Sequence, residues 1–190
     1  MSTHDVDDRR EYYRIEDTIA LEFTELGAPA NEPAPNENTD TESHLFNLLS
    51  DLHLMEFEST HLLRQISERD RNLAAYLKVV NKRIDMIGQA VAQRLVQGIG
   101  TRTRASLSEG GINFPSEQPV REGSELSLKI VLLPQALGLI LRARVVHCEE
   151  RKPGQYEIGC IFPRISDAQR QLLARHILQK QAMERRKARE

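Results

Sequence analysis

"TRTRASLSEGGINF", residues 101–114, decides how the second half of the chain folds. Thr103, Ala105 and Leu107 fall on one face of an alternating run, and Arg102, Arg104, Ser106 and Ser108 fall on the other. A period of two is the signature of a half-buried strand. Glu109-Gly110-Gly111 interrupts the run and "INF" resumes it, so the stretch is a strand, a tight turn and a second strand. Downstream, "ELSLKIVLL" (125–133), "LILRARVVHCEE" (139–150) and "YEIGCIF" (156–162) are further strands, joined by turn-rich segments at Pro134 and Pro153-Gly154. Upstream, "DTIALEFT" (17–24) alternates around Ile19, Leu21 and Phe23. Six short strands at this spacing predict an antiparallel barrel or sandwich. Ser166 or Asp167 then caps a helix through Leu172, Leu173, Ile177 and Leu178, which runs into a basic tail.

Between the first two strands the period changes. "ELGAPANEPAPNENTD" carries three prolines and reads as a flexible linker over 25–40. From Thr41 onward Leu45, Leu52, Ile66, Leu73, Val80 and Ile87 share one heptad position, broken only by Ser59. Further apolar residues lie three and four places on, and no Pro or Gly intervenes before Gly88. This predicts a coiled-coil-like helical insert over 41–98. Its apolar stripe is three residues per heptad wide, which suits packing against more than one neighbour. The stripe can serve an oligomeric bundle, a dimer or tetramer built on Leu73, Leu77, Val80, Ile84, Ile87 and Val91, or it can pack on the protein's own sheet. A straight helix of this length measures ~80 Å, and the linker reaches at most ~60 Å. The insert therefore has to fold back, most naturally in the polar stretch His53–Asn72. The expected organisation is an arginine-bearing segment and first strand (1–24), linker, insert, remaining strands and C-terminal helix (99–180) and basic tail (181–190).

Composition excludes several classes. A net charge of −2 does not suit a general DNA binder. No apolar run is long enough to span a bilayer, and the acidic, polar start is unlike a secretory signal. Cys148 and Cys160 form no CxxC pair and read as reduced, packed thiols of a cytoplasmic protein. His44, His53 and His61 have no metal-ligand spacing and read as solvated helix residues. No nucleophile–base pair is visible, so neither enzyme chemistry nor a metal or cofactor is expected.

"DDRREYYR" (7–14) supplies the remaining signal. "REYYR" places Arg10 and Arg14 in an RxxxR spacing just before the first strand, with Arg9 beside them. "SLSEGG" places Ser106, Ser108 and Gly111 in the pattern [D/N]xSxxG at the turn between strands two and three. With "YEIGCIF" and the helix "DAQRQLLARHI", these features resemble the PilZ domain over 9–24 and 101–178. That family is a six-stranded antiparallel barrel with a C-terminal helix, and many members bind cyclic di-GMP. The resemblance implies a mainly β, non-enzymatic bacterial receptor or adaptor. Arg9, Arg10, Arg14, Ser106, Ser108, Gly110 and Gly111 would form its ligand site, and a downstream protein would be its target. Arginine suits the task because its rigid fork grips phosphate, or guanine O6 and N7, through two bonds at once. Ser106 departs from the family's Asp or Asn, and one lost bond there costs ~1–3 kcal/mol. A degenerate PilZ protein that binds no nucleotide and serves as an oligomeric scaffold is the alternative.

Overall fold

A computed structural model describes residues 13–27, 37–99 and 102–188, with side chains in the first helix described from Ser43. Six antiparallel strands close into a barrel in the order β1-β2-β3-β6-β5-β4. They are β1 (Ile15–Leu26), β2 (Arg102–Leu107), β3 (Gly111–Ser116), β4 (Glu125–Leu132), β5 (Leu137–Lys152) and β6 (Gln155–Ile161). Three helices complete the fold: α1 (Glu37–Arg69), α2 (Arg71–Ile99) and α3 (Asp167–Lys187).

Strand alternation builds the core. Ile19 of β1, Ala105 and Leu107 of β2, Ile112 and Phe114 of β3, and Leu126, Leu128 and Ile130 of β4 all point inward and are buried. β1 pairs with β2 from Ile15↔Leu107 to Ala20↔Arg102, and with β4 from Ala20↔Val131 to Leu26↔Glu125. It is thus the staple that closes the ring, although α1 and α2 separate it from β2 in the chain. Leu172, Leu173 and Ile177 of α3 join the same core at one end of the barrel. Ser166 caps α3 in a full capping box: its side chain accepts from the Gln169 N–H, and the Gln169 side chain accepts from the Ser166 N–H. α3 continues to Lys187, so most of the expected basic tail is helix.

The insert is a hairpin. Asp70 stands between α1 and α2, and its Oδ1 accepts from the backbone N–H groups of Asn72 at 2.9 Å and Leu73 at 3.0 Å. An Asp that satisfies the first free donors of a helix is an N-cap. The two helices then meet antiparallel, with Gly88 of α2 against Leu49 and Leu52 of α1. The fold-back falls within the stretch expected from the reach argument. The linker is shorter than expected at both ends, because β1 runs to Leu26 and α1 starts at Glu37.

The root of the hairpin docks on the barrel's outer surface. Phe46 and Leu49 of α1, with Ala92, Leu95 and Val96 of α2, bury against Ala20, Val131 and Ala136. Gly138 makes the approach possible, since a Cβ there would stand 3.1–3.3 Å from Leu49 and Phe46 side-chain atoms. Full burial of each of these two large side chains contributes ~1.5–3 kcal/mol. Part of the stripe therefore packs on the protein's own sheet. Farther out the stripe is uncovered: Leu73, Ile84 and Ile87 are exposed, and Leu77, Val80 and Val91 are half-buried.

Candidate ligand site at the β2–β3 turn

Arg14 immediately precedes Ile15, and Ile15 pairs with Leu107 at the end of β2. The register therefore sets Arg14 beside the β2–β3 turn. Ser106 pairs with Glu16 on one side and with Asn113 on the other. With the Asn113 amide turned to satisfy both of its ends, Arg14 Nη1 donates to its oxygen at 3.2 Å, and its nitrogen donates to the Ile112 carbonyl at 3.2 Å. Arg14, Ser106 and Asn113 thus share one outward patch. Arg104 lies next along it, 3.4 Å from Glu16 Oε2. That pair is exposed and contributes ~0.2–1 kcal/mol at most. Arg9 and Arg10 lie outside the described residues.

Ser108 corrects the sequence reading. Alternation put it on the outer face with Ser106, but it is buried. β2 ends at Leu107, so the period of two does not extend to residue 108. Both the Ser108 hydroxyl and its backbone N–H donate to the Gly111 carbonyl, at 3.1 and 2.9 Å. Ser108 closes the turn and spends its hydroxyl on the chain itself. Gly111 is required by packing: a Cβ there would stand 2.3 Å from the Cys160 carbonyl oxygen. The Gly110 carbonyl accepts from Phe162 N–H at 2.9 Å, which ties the turn to the end of β6. The two glycines and Ser108 build the turn on whose flank Ser106 and Arg14 lie.

Two features went unread in the sequence. Asn113 was legible, because it is the outward residue between inward Ile112 and Phe114. The other is a buried ionic cluster. Asp17 of β1 points inward and accepts from His176 Nε2 at 2.7 Å and from Lys180 Nζ. Burial by itself would raise the Asp17 carboxyl, but the hydrogen bonds and positive charge of its two partners hold it below the usual carboxylate value. His53 is not simply solvated, as it contacts the Gln135 carbonyl through Nε2 at 2.7 Å. The His147 ring lies against the backbone of Gly159. Burial, and then the neighbouring Cys148, push the Cys160 thiol up to about 12, so it is unreactive at neutral pH. No cluster of metal-ligating side chains occurs among the described residues.

Six antiparallel strands closed by a C-terminal helix, with a helical hairpin between the first two strands, define the class: a small β-barrel domain carrying a helical insertion. The family model of the PilZ domain matches residues 81–179, more than half of the chain. The chain belongs to the PilZ domain family, whose members are generally ligand-binding adaptors. The match begins inside α2, so the structure, and not the family model, supplies the first strand and Arg14. Among solved structures, the chain is similar to a pathogenic protein from Xanthomonas campestris, described as a tetrameric PilZ domain self-assembled via a helical bundle. The two are 18% identical with a TM-score of 0.57, covering 95% of this chain and 93% of that one. It is also similar to the PilZ domain of YcgR from Escherichia coli with c-di-GMP, at 21% identity and a TM-score of 0.40, covering 47% of this chain and 78% of that one. No curated protein matches. Among the described residues, no helix is long and apolar enough to cross a membrane.

Proposed function

We propose that this protein is a cyclic di-GMP receptor that self-associates through its α1–α2 hairpin and passes the bound state to a partner protein in the cytoplasm. The observation that carries the nucleotide reading is the placement of Arg14 against the Ser106–Asn113 pair, where two short polar side chains and a guanidinium face outward together. Arg9 and Arg10 are four or five residues from Arg14, close enough in the chain to close over a ligand resting on that patch. Phosphate contacts would fall to the arginines, and Ser106 would meet the base or the sugar. Ser108, Gly110 and Gly111 act by holding the turn.

Self-association rests on the uncovered part of the stripe. Ile87 and Val91 line a shallow groove with Leu45, Met86 and Ala90. Leaving such residues in water forgoes ~1.5–3 kcal/mol for each one that a partner could bury. A second copy is the natural partner, since its hairpin presents the same face, and closed symmetry is the rule for such pairs. The Xanthomonas campestris protein of similar fold is a tetramer assembled through a helical bundle, which supports a dimer or tetramer here.

One observation favours a second reading, an oligomeric scaffold without nucleotide. Residue 106 is a serine with neither carboxylate nor amide, and the Ser108 hydroxyl is already engaged inside the turn. Calorimetric titration with cyclic di-GMP separates the two. The receptor reading expects saturable binding that Arg14→Ala weakens by ~10-fold or more, the loss of about one charge-assisted contact. A flat titration of the wild type, with the oligomer intact by mass, leaves the scaffold.

A further inference from the structure

A cleft of about 380 Å³ opens between the hairpin, α3 and the β4–β5 turn. It lies apart from the β2–β3 turn and shares none of its residues. Leu49, Leu52, Ile84, Leu137 and Leu172 form its apolar wall, and polar and charged side chains line the rest. Three buried side-chain atoms without a hydrogen-bond partner, Gln135 Oε1, Arg175 Nη1 and His176 Nδ1, belong to residues that line it. Buried polar atoms are rarely left unpaired, so three around one cleft indicate what would fill it.

Their chemistry is specific. Gln135 already donates through its nitrogen to Gln179 Oε1 at 3.0 Å, so its free oxygen needs a donor. His176 is only 2% exposed, and its Nε2 faces the Asp17 carboxylate, whose charge Lys180 also balances. His176 Nδ1 is left without a partner on the ring's other side. Glu56 and Asp85 add two carboxylates, and Arg175 and His53 face Glu56 at 3.7 and 3.4 Å. Burial first, and then Glu56, raise the Asp85 carboxyl, against His53, which lowers it. Arg175 Nη1 is a buried donor without a partner and calls for an oxygen. The cleft thus sets three acceptors, Gln135 Oε1 and the Glu56 and Asp85 carboxylates, beside an unpaired guanidinium N–H.

We infer that this cleft is a binding site for a small aliphatic ammonium compound bearing an oxygen acceptor, the chemistry of a free amino acid or an amino alcohol. The ammonium group would meet Gln135 and the carboxylates, the oxygen would meet Arg175, and the alkyl chain would lie on the leucines.

Thermal denaturation of the full chain with L-leucine, L-leucinol, isoamylamine and N-acetyl-L-leucine, each at roughly 10 mM, tests this. The inference expects a Tm rise of several degrees with L-leucine or L-leucinol, the stronger of the two naming the oxygen as carboxylate or hydroxyl. Isoamylamine, which lacks the oxygen, should give less, and N-acetyl-L-leucine, which lacks the charge, should give none. Asp85→Asn and Gln135→Met should each keep the ligand-free Tm within a few degrees and remove the rise. No rise with leucine or leucinol overturns the inference. So does an equal rise with N-acetyl-L-leucine or isoamylamine, or a rise that survives in both variants.

Discussion

Asp17 occupies a position that the alternation of β1 assigns to an apolar side chain, between inward Ile15 and Ile19. Nothing local announces that it is buried with a histidine and a lysine drawn from 159 and 163 residues away. Only the docking of α3 reveals the pair. Asp17→Asn should destabilise the protein by about 2–4 kcal/mol at pH 7 in denaturant unfolding, less than a fully enclosed ion pair because Lys180 can turn to solvent. The sign with pH follows from the depressed carboxyl. Its stabilisation is complete above the ordinary value of 3.8 and is lost as pH falls through the lower folded value. The gap between wild type and Asp17→Asn should therefore narrow below about pH 4, measured as ΔG from urea titrations across acidic pH. Ser106 belongs to the same scale. It faces outward beside Asn113, where a longer side chain has room, so Ser106→Asn should tighten cyclic di-GMP binding by ~5-fold or more if position 106 meets the ligand. An unchanged or weaker affinity in a normally folded variant would remove residue 106 from the site.

Among the elements, the strands and helices were legible because their periods are clean over long runs. The hairpin followed from reach: a straight insert cannot return the chain to β2, which neighbours β1. The heptad phase runs on through Asp70, and so it hid the turn that Asp70 makes. Ser108 was misplaced because period two holds only while the strand lasts, and the turn starts one residue sooner than the pattern suggests. Nor could the stripe say which of its residues dock on the barrel and which stay free, since Leu49 and Ile87 look alike in sequence. Asp70→Ala should remove the cap of α2 and cost ~1 kcal/mol, read as a Tm drop of a few degrees by circular dichroism. A double change of Val80 and Ile87 to Asp should split the oligomer, because it sets charge into the uncovered face. The barrel should remain folded, as neither residue belongs to its core. Sedimentation together with far-ultraviolet circular dichroism checks both halves of that expectation.

For the whole molecule, the hairpin and the β2–β3 face are separate surfaces, proposed for assembly and for a ligand respectively. Light scattering of the wild type at micromolar concentration should give a dimer or tetramer mass; a clean 21.7 kDa species would leave the outer stripe without its second copy. The family and the barrel were legible because motif residues and strand pattern agree. The occupancy of the proposed site was not, since affinity would depend on how Arg14, Ser106 and Asn113 jointly met a ligand. Titration of the purified protein with cyclic di-GMP, alongside Arg14→Ala, therefore bears most directly on the account. It predicts saturable binding by the wild type, weakened ~10-fold or more by the substitution with an unaltered Tm. No heat at high micromolar ligand, or equal affinity in the two proteins, would contradict it.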